Sequence, residues 1–277
     1  MISIWPASMS FFSGGCSEAF EAICPVFPGP RWSFLPRGKG TLMGFGVLLL
    51  MVFIVVDWFF SMRTADSTLL TAEELAETSS ITLGHYNQHA ESFWRGTRDH
   101  DVSQNRQALL EHLGGEGPHR ILDFGCGPGR DLKAFKDLGQ DVIGLEGAER
   151  FVQLAREHSG CEVWQQDFLH LRLPPNHFDG IFANAALFHV PSQELPRVLK
   201  ELAATLKPAG VLFSSNPRGE NEEGWASERY GVYYNLERWR ELVSAAGFAE
   251  IMHYYRPPGL PRARQPWLAS LWRKPVP

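Results

Sequence analysis

Short apolar runs alternate with amphipathic stretches along most of the chain from residue 72 onward. An apolar run of four to eight residues predicts a buried strand, whereas apolar side chains that recur every three or four residues predict a helix. Strands are predicted at Arg120–Phe124, Asp141–Leu145, Cys161–Trp164, Phe178–Ala183, Val211–Ser215, Ala249–Tyr255 and Trp267–Trp272. Helices are predicted at residues 72–94 with a break near Gly84, 103–113 with Ser103 as the N-cap, 130–138, 149–158, 193–206 and 236–246.

Strand and helix alternate five times, which predicts crossover connections and a mainly parallel sheet with helices on both faces. The last two strands follow one another across a proline-rich loop, so one of them must run antiparallel to its neighbour. The expected fold is therefore an α/β, three-layer αβα sandwich around a mostly parallel seven-stranded sheet with an antiparallel C-terminal strand.

Composition and charge disfavour several classes of function. The chain has 277 residues, of which 44% are hydrophobic and 21% charged, as in an ordinary globular protein. Its 26 Lys and Arg against 31 Asp and Glu give a net charge of −5, which argues against non-specific nucleic-acid binding. The four cysteines form no C-x-x-C pair, and no spacing of ligand residues is typical of a metal site. We therefore expect no metal and a reducing compartment.

A glycine-rich turn carries the most information. Gly125-Cys-Gly127-Pro-Gly129 follows the first predicted strand and opens a helix, which is the context of a nucleotide-binding loop. Glycines allow the backbone to turn tightly and to approach a ligand. Glu146 ends the second strand, where its carboxylate can accept hydrogen bonds from both hydroxyls of a ribose. Asp167 and Phe168 end the third strand, where they suit the amino group and the ring of an adenine. The carboxyl ends of parallel strands share one edge, so the sequence predicts a nucleoside-binding site there.

The identity of the nucleoside cofactor follows from a resemblance. The turn reads G-x-G-x-G, with Asp123 two residues before it, and so resembles motif I of the class I S-adenosylmethionine-dependent methyltransferases. Further matches are Glu146, Asp167, the segments Phe178–Ala183 and Leu206–Gly210, and the segment Tyr86–Phe93, which is similar to the lead-in of the type 11 branch. The resemblance covers residues 80–275. It departs from the family at Glu146, where Asp is commoner, and at Ala209, where Gly is usual.

The resemblance implies a Rossmann-like fold, S-adenosyl-L-methionine as cofactor and transfer of its methyl group to a small-molecule acceptor. The three glycines would lie under the methionine part, Asp123 would support the loop or the amino group, and Asn184 and Ala185 would lie beside the sulfonium. Cys126 is expected to be a buried small residue of the turn. The implied cofactor-binding residues are Asp123, Gly125, Cys126, Gly127, Gly129, Glu146, Gly147, Asp167, Phe168, Asn184 and Ala185.

The acceptor side is less sharply defined. His189 follows the fourth strand and is the candidate general base, because a neutral imidazole titrates near working pH; alternatively it shapes the pocket through a hydrogen bond. Arg218 could pair with a substrate carboxylate or phosphate, or be a solvated loop charge. The candidate substrate residues are Tyr86, Trp94, Arg218 and Tyr233. Residues 82–101 are expected to form a lid over the methyl donor, with a permanently packed helix as the alternative.

Two other functions stay open from the sequence. A nicotinamide-dependent oxidoreductase could use a similar sheet, and a related domain could bind S-adenosylmethionine without transferring its methyl group. The expected partner is a small-molecule acceptor, with no nucleic acid.

The first 65 residues differ from the rest. The segment 41–60 is almost entirely apolar and long enough to span a bilayer. Arg31, Arg37 and Lys39 precede it, and Arg63 closely follows it, so the positive-inside rule would export the C-terminal part away from a cytosolic cofactor.

Two interpretations resolve this conflict. Either 41–60 is an anchor of the opposite orientation, or residues 1–61 are translated upstream sequence and the working protein begins at Met62. We expect an N-terminal extension at 1–65 and a methyltransferase domain at 66–277. The domain is expected in the cytoplasm, attached to a membrane if 41–60 is a genuine anchor.

Overall fold

The computed structural model describes residues 69–276. The helices are α1 (Ala72–Thr97), α2 (Ser103–Leu110), α3 (Arg130–Asp137), α4 (Glu149–Ser159), α5 (Leu195–Thr205) and α6 (Leu236–Ala245). The strands are β1 (Arg120–Phe124), β2 (Asp141–Glu146), β3 (Val163–Gln165), β4 (Phe178–Asn184), β5 (Leu206–Pro217), β6 (Glu222–Ala226), β7 (Arg229–Tyr233), β8 (Ala249–Arg256) and β9 (Trp267–Arg273). Short 3-10 turns cover Leu187–His189 and Arg262–Arg264.

Seven strands form one sheet in the order β3-β2-β1-β4-β5-β9-β8. The first five are mutually parallel, and β9 is antiparallel to both of its neighbours, β5 and β8. The predicted mostly parallel seven-stranded sheet with an antiparallel C-terminal strand is confirmed. This order places the carboxyl ends of β1 to β5 along one edge, where ligands bind in open sheets of this kind.

The core consists of two apolar layers, one on each face of the sheet. Alternate residues of β1 point to opposite faces, so that Ile121 lies in one layer and Leu122 in the other. One layer contains apolar side chains from α2, α3 and α4, and the other contains side chains from α5 and α6. Because each parallel strand is covered on both faces, it appears in the sequence as a continuous apolar run.

The first helix differs from its prediction. Helix α1 is continuous through Gly84, so the predicted break is wrong. A glycine inside a helix costs about 1 kcal/mol relative to alanine, and the turns around Gly84 offset this cost through contacts with the rest of the domain. The predicted cap of α2 is also wrong: Ser103 is the first residue of the helix, and its backbone N–H donates to Asp101 Oδ1 over 2.9 Å.

The second difference is a β-hairpin. The sequence pattern predicts no strand between Ser215 and Leu236, but this polar segment contains the antiparallel pair β6 and β7. Trp225 lies opposite Tyr230 across this pair, with ring centroids 5.3 Å apart. Cross-strand aromatic pairs stabilise a hairpin, which explains why a polar segment folds here. Strand β5 is also longer than predicted, because Leu206 pairs with Phe178 before the register shifts.

The predicted extension at 1–65 and its apolar segment 41–60 lie outside the described residues. Within residues 69–276, no helix combines the length and the apolar character needed to cross a bilayer.

Candidate active site

A cavity of about 540 Å³ follows the carboxyl edge of the sheet, with α1 as its roof. Its wall includes residues at the ends of six strands of the main sheet and residues just beyond the end of the seventh, β3. The predicted site residues that line it are Tyr86, Trp94, Asp123, Gly125, Cys126, Gly127, Glu146, Gly147, Asp167, Phe168, Asn184, Ala185 and His189. Three predicted site residues do not line it: Gly129, Arg218 and Tyr233.

The glycine turn is shaped by close contacts. Gly125 has φ +72°, and a Cβ on it would lie 2.5 Å from Cβ of Ala186. Gly129 has φ +89°, and its Cβ would lie 2.8 Å from Cα of Ala155 in α4. Gly129 therefore allows the start of α3 to pack against α4, and it acts on the cavity through the position of the loop.

Glu146 fastens this loop to the end of β2. Its Oε2 accepts a hydrogen bond from Gly127 N over 3.0 Å, and its Oε1 accepts one from Ala148 N over 2.9 Å. Burial raises the pKa of the carboxyl group, and these backbone hydrogen bonds oppose that rise. A carboxylate offers about four acceptor positions, so two bonds leave capacity for hydroxyl groups of a ligand in the cavity.

Asp123 presents a buried oxygen without a partner. The side chain is 2% exposed, and among the described residues none forms a hydrogen bond with its Oδ2. Burial and the charge of Asp131 raise the pKa of Asp123 well above its usual range. Asp131 itself binds Arg106 and Arg130. An unpartnered carboxyl oxygen in a cavity fits a ligand that brings a positively charged or N–H donor group.

Asp167 and Phe168 line the cavity just beyond the end of β3. Oδ1 of Asp167 accepts from Leu169 N over 2.8 Å, and Oδ2 accepts from the hydroxyl of Ser79 in α1 over 2.6 Å. The ring of Phe168 stacks on Phe124, with centroids 4.3 Å apart and an interplanar angle of 21°. The roof helix thus contacts the acid that the sequence assigns to adenine.

His189 is held as a neutral imidazole. Its Nδ1 lies 2.7 Å from the carbonyl oxygen of Tyr230, which can only accept, so Nδ1 carries the proton. Its Nε2 then accepts from the hydroxyl of Tyr86 over 2.8 Å. Burial, together with the nearby charge of Arg229, lowers the pKa of His189 to about 4. Burial also raises the pKa of Tyr86 to about 12. Both rings are therefore uncharged at neutral pH.

Sequence reasoning missed the support of Asn184. Asn105 in α2 is fully buried; its Nδ2 donates to Asn184 Oδ1 over 2.8 Å, and its Oδ1 accepts from the hydroxyl of Tyr254 over 2.9 Å. These bonds fix the orientation of the Asn184 amide at the end of β4. A polar residue on the apolar face of α2 is the signal that could have identified Asn105.

Arg218 and Tyr233 take other positions than those predicted. Arg218 donates from Nε to the carbonyl of Gln265 over 2.8 Å and from Nη2 to that of Arg262 over 2.7 Å. Arg218 therefore stabilises the loop before β9 and does not line the cavity. Tyr233 packs behind the cavity wall, with its ring centroid 6.1 Å from that of Phe188.

The cysteines are unpaired in the described part of the chain. Cys126 is buried, and burial raises the pKa of its thiol well above the usual range, which fits the expected small residue of the turn. Residues 69–276 contain no group of three or more His, Cys, Asp or Glu side chains arranged to hold a metal ion.

Known proteins resemble the chain over the same region. The family model of a methyltransferase domain matches residues 121–210, which include the glycine turn, Glu146, Asp167 and His189. Malonyl-[acyl-carrier protein] O-methyltransferase of Erwinia pyrifoliae is 34% identical over 160 residues, which are 57% of this chain and 57% of that protein. The sterol 24-C-methyltransferase of Aspergillus fumigatus is 27% identical over 165 residues, 50% of this chain and 42% of that protein.

The chain spans about half the length of the curated relatives it matches. Among solved structures, it resembles the 1,6-didemethyltoxoflavin-N1-methyltransferase of Burkholderia thailandensis, whose crystal structure contains S-adenosylhomocysteine. The TM-score is 0.62 at 21% identity, and the match covers 75% of this chain and 92% of that one. This likeness confirms the predicted Rossmann-like fold.

Proposed function

We propose that the chain is an enzyme which transfers the methyl group of S-adenosylmethionine to a small-molecule acceptor, in keeping with the methyltransferase-domain family model that matches residues 121–210 and with its methyltransferase relatives. The carrying observation is that one cavity unites Glu146, Asp167 and the unpartnered carboxyl oxygen of Asp123 around the glycine turn. Each of these groups suits one part of the cofactor: ribose, adenine and amino group.

The order of strands divides the cavity into two halves. Neighbouring strands lie about 4.8 Å apart, so the ends of β3, β2 and β1 extend over about 10 Å and contain the acids assigned to the cofactor. The ends of β4, β5, β9 and β8 extend over a further 14 Å or so and contribute Asn184, Ser215, Trp267 and Arg256. We assign this second half to the acceptor.

When bound, S-adenosylmethionine would supply an electrophilic methyl carbon on a positively charged sulfur: the acceptor atom forms a bond to this carbon, and the C–S bond opposite breaks with its electron pair left on the sulfur. The chain's own residues then have to orient the acceptor and exclude water. Tyr86, Phe93 and Phe188 supply apolar wall and roof, and Asn184 is a fixed amide beside them.

Acceptor chemistry follows from the state of His189. Its basic nitrogen is occupied by the hydroxyl of Tyr86, and its pKa of about 4 makes the imidazole a weak base. His189 therefore positions Tyr86 at the cavity wall, and we propose this role in place of the general base expected from the sequence. Such a site suits an acceptor atom that needs no strong base, with a largely apolar body.

The test of the function has two steps. Calorimetry with S-adenosylhomocysteine and with NAD⁺ identifies the cofactor class: we expect binding of the first and none of the second. Incubation with methyl-labelled S-adenosylmethionine and small-molecule extracts then measures transfer, with boiled protein as control. Binding of NAD⁺ alone would favour the oxidoreductase, and binding of S-adenosylhomocysteine without any labelled product would favour a non-catalytic binding protein.

Glu146→Gln is expected to weaken binding of S-adenosylhomocysteine about 10- to 100-fold. The amide retains one acceptor oxygen, so it cannot serve Gly127 N, Ala148 N and a ribose as the carboxylate does. Hydrogen bonds to a charged group contribute about 1.5–3 kcal/mol, and about 1.4 kcal/mol corresponds to a tenfold change in Kd. Glu149→Gln is the matched control, because it is the same substitution at an exposed position three residues away. Equal dissociation constants for a folded Glu146→Gln and the control would remove Glu146 from the cofactor site.

Helix α1 is expected to act as a lid. It contacts the rest of the domain through hydrogen bonds from Ser79 to Asp167, from Tyr86 to His189 and from Tyr230 N to Thr82 Oγ1, and through an apolar cluster in which Tyr86 and Phe93 pack against Phe151 of α4. A cofactor that reaches Asp167 competes with Ser79, so α1 must open for entry.

Hydrogen exchange measures this motion. A ligand that binds only the closed form stabilises that form by ~2.7 kcal/mol when the free ligand concentration is about 100 times Kd. Exchange that requires opening then becomes about 100-fold slower. We expect this slowing across residues 78–97 with S-adenosylhomocysteine. The buried helix α5, on the other face of the sheet, is the internal reference. Equal exchange of α1 with and without ligand would identify a permanently packed helix.

A further inference from the structure

The acceptor half of the cavity ends at an arginine that the sequence did not single out. Arg256 is the last residue of β8 and lines the cavity beside Pro257 and Trp267. Its Nη2 donates to the backbone oxygen of Asp101 over 2.9 Å. Its Nε is buried, and within residues 69–276 no group accepts a hydrogen bond from it.

A guanidinium with a buried free N–H fits an anionic ligand. A guanidinium group offers five N–H donors in a planar fork, which matches a carboxylate or a phosphate. Buried donors nearly always have a partner, and Arg256 lines the cavity, so an anion bound there is one partner that this guanidinium can take.

The charged groups around Arg256 come from the start of α3 and from the loop before α2. Arg130, from α3, is paired with Asp131. His100 is held neutral, because burial and the charge of Arg130 lower its pKa. Hydrogen bonds from Ser103 and, to a lesser extent, the charges of Arg106 and Arg256 lower the pKa of Asp101, so its carboxylate is a negative charge beside Arg256.

We propose that Arg256 binds an oxyanion of the methyl acceptor. The acceptor then has an apolar body with a carboxylate or phosphate at the end remote from the atom that receives the methyl group. Between Asn184 and Arg256 lie three strand spacings, about 14 Å, and Trp267 with Val102 forms an apolar wall along this distance. The inference rests on the proposed function, because it names the acceptor class of the same cavity.

The experiment uses matched probes on the full chain saturated with S-adenosylhomocysteine. The probes are 2-naphthoate, its neutral analogue 2-naphthamide, and 2-naphthyl phosphate, and calorimetry measures the dissociation constant of each. The variants are Arg256→Leu, Arg256→Lys and the control Arg264→Leu. Arg264 is exposed in the loop that follows and does not line the cavity.

For the wild type, we expect the dissociation constant of an anionic probe to be at least about tenfold lower than that of the amide, because the anion accepts a charge-assisted hydrogen bond. Arg256→Leu should abolish this preference, Arg256→Lys should retain part of it, and Arg264→Leu should retain all of it. Tighter binding of the naphthoate assigns a carboxylate acceptor, and tighter binding of the phosphate assigns a phosphorylated one.

Two results would overturn the proposal. The first is that the wild type binds the anionic probes no more tightly than the amide, or binds none of the probes. The second is that Arg256→Leu keeps the wild-type preference for an anionic probe. If Arg256→Leu does not fold, the Arg256→Lys variant decides. Both Arg256→Lys and the wild type are then measured at tenfold higher salt. An equal preference of the two proteins for the anionic probe over the amide would contradict a site that requires the guanidinium group. Failure of the wild type to bind S-adenosylhomocysteine would instead contradict the proposed function, so the two failures are distinguishable.

Discussion

Gly129→Ala is expected to lower the free energy of unfolding by about 2–5 kcal/mol. Two costs add. The left-handed backbone at φ +89° costs a residue with a Cβ about 1–2 kcal/mol. The new Cβ would also lie 2.8 Å from Cα of Ala155, and overpacking against a fixed backbone costs about 1–3 kcal/mol. Urea unfolding followed by circular dichroism measures the change.

Gly139→Ala separates these two costs. Gly139 has a similar φ of +77°, but nothing lies within 4 Å of the position of its Cβ. This variant should therefore show the backbone cost alone, about 1–2 kcal/mol. If the two variants were equally stable, the contact between the glycine turn and α4 would contribute nothing, and Gly129 would matter for its φ alone.

The central sheet could be predicted because its signals are local. Each parallel strand is buried on both faces, so its apolar run is visible in the sequence, and each crossover helix shows its own periodicity. The predicted bounds of β1 are correct, and those of β4 differ by one residue. The glycine turn, Glu146 and Asp167 could be placed on one edge of the sheet for a similar reason. The order and direction of the strands bring their ends together, and this does not depend on the details of side-chain packing.

The parts that escaped prediction depend on contacts distant in sequence. Continuity of α1 through Gly84 rests on the contacts of Ser79 and Tyr86 with loops about 90 and 100 residues further along. The burial of Asn105 is decided by β4 and β8. Arg256 could not be distinguished from a solvated charge, since its buried Nε depends on the loop around Asp101.

His189 shows how burial changes a chemical assignment. From the sequence, a histidine after β4 is a candidate base because its ordinary pKa lies near working pH. In the structure its ring is enclosed by Tyr86 and His85 from α1 and by Arg229 and Tyr230 from β7. No carboxylate among the groups that shift its pKa favours the protonated ring, so the neutral form is strongly preferred.

This preference predicts a loss of stability in acid. The pKa of His189 falls from 6.5 in the unfolded chain to about 4 in the folded one, so the unfolded chain takes up the proton first as pH falls. Stability that is fully present above pH 6.5 is therefore lost progressively toward pH 4. At 1.36 kcal/mol per pKa unit, the loss is about 3 kcal/mol.

The difference between the wild type and His189→Gln isolates this effect. Asp123 and Glu146 have raised pKa values, so they stabilise the folded state on acidification, but both proteins contain them and the difference cancels their contribution. Glutamine can donate to Tyr230 and accept from Tyr86 without titrating. We expect the stability advantage of the wild type over His189→Gln, measured by urea unfolding, to shrink by about 3 kcal/mol between pH 7 and pH 4. A constant difference across this range would mean that His189 titrates alike in both states, and its role as a general base would again be open.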